Sequence, residues 1–169
     1  DAADADLLFA RRATLLWSPR HATYLYGHPG PVAAMHRLDV PIALGTYWQR
    51  TGSTHLLREL ACADALNTNQ LGGVFDDRDL WRMATRNAAR ALGAGAALGV
   101  LDAGRRGDVA VFDARVHEDH RAVIEASADD VVLVLRDGVV LYGDDDVVVA
   151  LGGGSPDCET LTPCSVAKR

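Results

Sequence analysis

The amino-acid sequence predicts an α/β unit followed by a small β module. Three observations carry that prediction. Two short apolar runs, residues 13–18 and 40–45, are separated by a loop and a helical pattern. Two further helical patterns follow the second run. After Gly104 the chain changes to short Val- and Leu-rich segments, two of which flank Asp137-Gly138.

Residues 13–18, Ala-Thr-Leu-Leu-Trp-Ser, read as a short buried strand that stops at Pro19. A Tyr/Gly/Pro-rich loop is expected from His21 to Pro31. Pro31 suits the first turn of a helix, where a missing N–H costs nothing, and that helix should run to about Leu38. Residues 40–45, Val-Pro-Ile-Ala-Leu-Gly, form the near-continuous apolar run of a parallel strand covered on both faces. Pro41 belongs near its start, where no ladder donor is needed. A loop from Thr46 to Gly52 leads to a helix from Ser53, a good N-cap residue, to about Asn67. Leu56, Leu57, Leu60, Ala61 and Ala63 fall mainly on one of its faces.

Beyond the Gly72-Gly73 break, Asp76 or Asp77 should cap one helix carrying Leu80, Trp81, Ala84, Ala88, Ala91 and Leu92, ended by Gly93. Residues 108–112, 131–135, 139–142 and 146–150 are predicted as strands, with Asp137-Gly138 as a type I′ hairpin turn. The expected organisation is therefore 1–104, an α/β unit; 105–150, a β module; and 151–169, a Gly/Ser/Pro/Cys tail in which 152–154 read as a linker.

Composition excludes several classes. Hydrophobic residues make up 49% of 169, enough for a sizeable core. The net charge of −6 argues against a nucleic-acid partner, which needs a basic face. The acids at 1–6 and 144–146 read as solvated surface. No run of 18 apolar residues argues for a transmembrane segment. The chain starts at Asp1 with no charged region leading into an apolar stretch, so no signal peptide is visible. The expectation is a processed chain, or one whose N-terminal part lies elsewhere. Cys62 reads as a small core residue. Cys158 and Cys164 fit a local disulfide, which would indicate an oxidising, exported setting, and equally fit two free thiols in a cytoplasmic one. His117 and His120, spaced i, i+3, read as surface rather than a metal pair.

Three strings of residues resemble the C-terminal part of the amidohydrolase superfamily. Leu15-Leu16-Trp17-Ser18-Pro19 with Leu25-Tyr26-Gly27 is similar to the seventh strand and its loop. Ala43-Leu44-Gly45-Thr46-Tyr47-Trp48, Thr51-Gly52-Ser53 and Leu56-Leu57-Arg58-Glu59-Leu60 resemble the eighth strand, loop and helix. The most specific string runs from Thr85-Arg86-Asn87-Ala88-Ala89 through Gly107-Asp108-Val109-Ala110-Val111 to Asp137-Gly138-Val139-Val140. It resembles the exit from the barrel into an outer β domain.

The resemblance implies the last two strand–helix units of a (β/α)8 TIM-type barrel followed by a small β-sandwich. It implies a metal-dependent hydrolase acting on C–N bonds other than peptide bonds, with zinc the expected divalent metal and a small amide or cyclic amide as substrate. A (β/α)8 barrel takes ~200 residues or more, so six units and their His-x-His pair have no place here. Tyr47 stands where the family ends its eighth strand with aspartate. A phenol titrates near pH ~10 and is a poor base or cation ligand at neutral pH. The expectation is therefore no metal ligands and no intact catalytic set in this chain, with His21, Tyr47, Trp48 and Ser53 as candidate pocket residues and His28 on the same loop. A fragment inactive alone, one half of a split enzyme whose missing barrel units come from another chain, and a non-catalytic α/β interaction module remain the three readings; the partners they allow are a missing barrel half or a homo-oligomer.

Overall fold

The computed structural model describes residues 2–11, 13–152 and 159–169. The chain divides into two compact units, 1–100 and 101–169.

The first unit is built on two parallel strands, β1 (Leu15–Trp17) and β2 (Ile42–Leu44), with Leu15 opposite Ile42 and Trp17 opposite Leu44. Pro41 sits just before β2 and contributes only its carbonyl, which accepts from the Leu15 N–H at 2.8 Å. All of β2 is buried, as its uninterrupted apolar run demands. The helices are α1 (Ala2–Ala10), α2 (Pro19–Tyr26), α3 (Val32–Arg37), α4 (Leu56–Asn69), α5 (Asp77–Ala84) and α6 (Arg86–Ala91). The core gathers Trp17, Val32, Val40, Leu60, Phe75, Leu80 and Met83 around β2.

Three expectations for this unit need correction. Residues 21–26, expected as the start of a loop, are helix: Pro19 occupies the first helical turn and Gly27 closes it in the left-handed region at φ 74°. A proline that stops a strand also starts a helix well. The cap of α4 is His55, whose Nδ1 accepts from the Arg58 N–H at 3.4 Å, and not Ser53. Ser53 lies inside the preceding loop, where its N–H donates to the Thr46 carbonyl. The long helix expected through Leu92 breaks into α5 and α6 at Thr85, whose hydroxyl donates back to the Trp81 carbonyl at 2.9 Å. Such back-bonding competes with the helical backbone pattern. Of the two expected caps, Asp76 is the one used: Asp76 and Asp79 exchange side-chain and backbone bonds in a capping box.

The second unit carries one antiparallel sheet in the order β3 (Val109–Phe112), β4 (Val131–Arg136), β5 (Val139–Gly143). Asp137 and Gly138, both at positive φ (54° and 79°), make the predicted hairpin turn. Gly107 passes so close to this turn that a Cβ on it would lie 2.9 Å from the Gly138 nitrogen. Asp108 accepts from the Asp137 N–H at 2.7 Å, and Arg106 forks onto the Asp137 carboxylate. The Arg-Gly-Asp corner thus fixes the hairpin from outside.

Helix α7 (Asp119–Ile124) was not anticipated, and residues 145–150 form helix α8 (Asp145–Ala150) rather than a strand. Asp144, Asp145 and Asp146 cluster where a helix N-terminus favours negative charge, and α8 packs on β4 and β5 with Val148 buried. His117 is exposed outside α7 and His120 lies within it.

The end of the chain is not a loose tail. Lys168 bridges to both Asp144 and Leu161, and Arg169 exchanges backbone bonds with Gly143 at 2.9 and 3.0 Å. The Lys168 ammonium is fully buried; it donates to the carbonyls of Asp129 (2.9 Å) and Val131 (2.8 Å) and pairs with Asp144. The expected Cys158–Cys164 pairing falls on side chains outside the described residues. Cys62 is a half-buried free thiol. Burial foremost pushes its pKa up; Glu59 adds to the rise and Arg20 opposes it.

Arg115 wraps the Asp113 carboxylate and, by hydrogen bonding first, lowers its pKa to about 2. A carboxylate depressed below its unfolded value contributes stability above the unfolded pKa and loses it as pH falls through the folded one. The Asp113 contribution should therefore fade between about pH 4 and pH 2. NMR titration of Asp113 should show the low value in the native chain and return it towards the ordinary carboxylate range in Arg115→Gln.

Candidate functional site at the carboxyl ends of β1 and β2

In parallel α/β architectures, ligands bind beyond the carboxyl ends of the strands. Here those ends carry Ser18, Pro19 and the first turn of α2 after β1, and residues 45–53 after β2. Ser18 Oγ donates to the Gly45 carbonyl at 2.5 Å and ties the two ends together.

His21 and Tyr47 meet at this edge. Their rings stack with centroids 3.9 Å apart and planes 37° from parallel. His21 Nδ1 shares a hydrogen bond with Thr51 Oγ1 at 2.6 Å. Tyr47 adopts a left-handed backbone, φ 54°, uncommon for a bulky residue. That conformation turns the chain into a tight loop in which Thr51 and Gly52 N–H groups both donate to the Trp48 carbonyl. Trp48 is exposed, with the Arg50 guanidinium 5.5 Å from its ring centroid.

The structure therefore brings His21 to Tyr47, with Trp48 next in the chain. His21 sits on a helix rather than in a loop. Ser53 differs from the other candidates: it is buried, at 3% exposure, and its Oγ has no hydrogen-bond partner. His28 lies apart, exposed, its Nδ1 accepting from the Gly30 N–H.

Sequence reasoning missed Glu59 and Asn87. Glu59 is fully buried on α4, and its Oε1 accepts from the Arg20 N–H at 3.0 Å. Asn87 Nδ2 donates to the Ile42 carbonyl at 2.8 Å, on β2 itself. A count of apolar positions on α4 cannot find a buried carboxylate; the signal available was Glu59 standing next to Leu60 and four residues before Ala63, both buried.

The residues at this edge do not by themselves fit a divalent cation. One imidazole, engaged by Thr51, faces a phenol, and among the described residues no group of three or more His, Cys, Asp or Glu side chains could hold a metal.

The sequence profile described as the Amidohydrolase family matches residues 31–143, well over half of the chain. The chain belongs to the amidohydrolase family. It is 34% identical over 125 residues to the 5-methylthioadenosine/S-adenosylhomocysteine deaminase of Symbiobacterium thermophilum, a match covering 68% of this chain and 29% of that protein. It is 37% identical over 91 residues to the imidazolonepropionase of Salmonella paratyphi A, covering 52% and 20% respectively. The amidohydrolase chain thus spans less than a third of the length of these curated relatives.

Among solved structures, an adenosine deaminase from Xanthomonas campestris with bound zinc superposes with a TM-score of 0.75 at 23% identity, covering 89% of this chain and 38% of that one. Atrazine chlorohydrolase from Arthrobacter aurescens, complexed with zinc, gives 0.69 at 23% identity, with 89% and 37% covered. These likenesses show a shared fold, that of part of an amidohydrolase barrel. No helix among the described residues is long and apolar enough to cross a membrane.

Proposed function

We propose that this chain forms the last two strand–helix units and the outer β layer of an amidohydrolase that hydrolyses a non-peptide C–N bond in a small cyclic amide or amidine. In that setting its own contribution is a pocket wall, His21, Tyr47 and Trp48, and it is inactive alone. The observation that carries the reading is the convergence of His21 and Tyr47 at the carboxyl ends of two parallel strands. A two-stranded parallel sheet with a fully buried strand is a fragment of a larger sheet rather than a sheet in itself. The three-stranded sheet of the second unit, on this reading, is one layer of a small sandwich.

The wall can orient a substrate. The exposed Trp48 ring and the face of the His21–Tyr47 stack offer flat apolar surface, and the Thr51 hydroxyl offers a polar handle. Zinc is the metal expected of the whole protein, and its ligands would have to come from outside this chain.

The test is hydrolysis of a panel of cyclic amides, read as ring opening, and of exocyclic amidines, read as ammonia release. The chain alone is expected to turn over neither. It should then be joined to the strand–helix units of the Symbiobacterium deaminase that it does not match, with Tyr47 retained or changed to Asp. If Tyr47 holds the place of the missing carboxylate, the Tyr47→Asp form should be about a hundredfold faster, the low end of what a positioned proton-transfer group contributes. Equal rates in a folded pair of chimeras would remove Tyr47 from that place. Turnover by the chain alone would end the wall reading.

A further inference from the structure

We infer that Glu59 is a positioning residue: its buried carboxylate holds the first turn of α2 and, through that turn, keeps the His21 imidazole against Tyr47 and Thr51. The N–H groups of a helix's first turn have no partner within the helix. In α2 that turn begins at Pro19, which has no N–H, so Arg20 supplies the first donor, and Glu59 Oε1 accepts it at 3.0 Å. A negative charge is favoured at that end of a helix. His21 is the next residue. The same turn carries its ring, which reaches Thr51 at 2.6 Å and lies 3.9 Å from the Tyr47 centroid.

The arrangement costs stability. Glu59 is completely buried, and its Oε2 has no hydrogen-bond partner; Arg20 Nε is likewise buried without one. A leucine at position 59 would fill the inward face of α4 without burying an incompletely satisfied charge. What leucine could not do is reach across from α4 to the Arg20 N–H. Among the described residues, the hydrogen bond that Glu59 makes is to α2, and its burial is otherwise costly for folding. Other ties on α2 are weaker in reach: Thr23 Oγ1 bonds back to Pro19 within the helix, and Ser18 Oγ bonds to Gly45 before it begins.

The consequence for ligand binding rests on the proposed pocket, but the geometry of His21 can be read with no ligand present. Proton NMR of the full chain should show contacts between the His21 and Tyr47 rings and upfield-shifted His21 ring protons. Glu59→Gln keeps an acceptor oxygen and should keep both signals. Glu59→Met keeps the length and apolar bulk, loses the acceptor, and should lose both signals in a chain that is still folded by circular dichroism. A role in stability alone would lower the unfolding midpoint and leave the ring contacts in place. Ring contacts retained in folded Glu59→Met, or lost equally in Glu59→Gln, overturn the inference. Should Glu59→Met not fold, Glu59→Asp, too short to reach Arg20, takes its place with the same two outcomes. Failure of the pocket reading looks different: ring contacts that depend on Glu59 as described, beside chimeras whose turnover ignores Tyr47.

Discussion

Lys168→Met is expected to destabilise the second unit by about 3–5 kcal/mol, the cost of breaking a buried ion pair from one side. The Lys168 ammonium is fully buried and serves three oxygens, the carbonyls of Asp129 and Val131 and the Asp144 carboxylate. Methionine fills much of the same volume but donates nothing, so two backbone carbonyls and one carboxylate lose their partner together. The loss also releases the strap: Lys168 exchanges backbone bonds with Leu161, and Arg169 with Gly143 at the end of β5. Urea unfolding followed by far-ultraviolet circular dichroism should show a large fall in the midpoint. Arg106→Gln breaks only an exposed fork on Asp137, with both side chains more than half exposed, and should leave the midpoint nearly unchanged. Equal midpoints for Lys168→Met and the native chain would mean that the strap does not hold the sheet in solution.

Gly52→Ala should be nearly as damaging, and its effect falls on the site. A Cβ at position 52 would lie 1.9 Å from the Thr46 carbonyl oxygen and 3.1 Å from that of Trp48. Both obstacles are backbone, so no side chain can swing aside. The loop must open, at a cost of about 3 kcal/mol or more for forced overpacking. Opening it strains the Gly52 N–H bond to Trp48 at 2.7 Å and the Ser53 N–H bond to Thr46, which together set the turn after Tyr47. The expected result is a lowered urea midpoint together with loss of the His21–Tyr47 ring contacts. Retention of both would show that residues 46–53 tolerate a different path.

The parts of this fold legible in the sequence were those in which one local pattern decides the outcome. The apolar run at 40–45 gave β2, the Asp76 cap gave the start of α5, and Asp137-Gly138 gave the hairpin. Errors came where two local signals competed. Pro19 ends β1 and starts α2 at the same residue. Residues 145–150 are valine-rich, which suggests a strand, but three aspartates stand at a helix N-terminus there. Ser53 has the chemistry of a cap, yet the closed loop draws it inward and leaves the cap to His55.

The site was half legible for a similar reason. Tyr47, Trp48 and His21 could be placed through the resemblance to the family's eighth and seventh strand loops. That His21 stacks on Tyr47 depends on a helix the sequence disguised as a loop. Glu59, Asn87 and Lys168 escaped because each is a polar residue tied by long-range hydrogen bonds, and no periodicity records such bonds.

If this amidohydrolase chain lends a pocket wall and not the metal-holding residues of its family, it should not hold zinc by itself. Metal analysis of the purified chain, after incubation with zinc and extensive dialysis, should find no zinc retained in stoichiometric amount; one tightly held zinc per folded chain would overturn the pocket-wall reading.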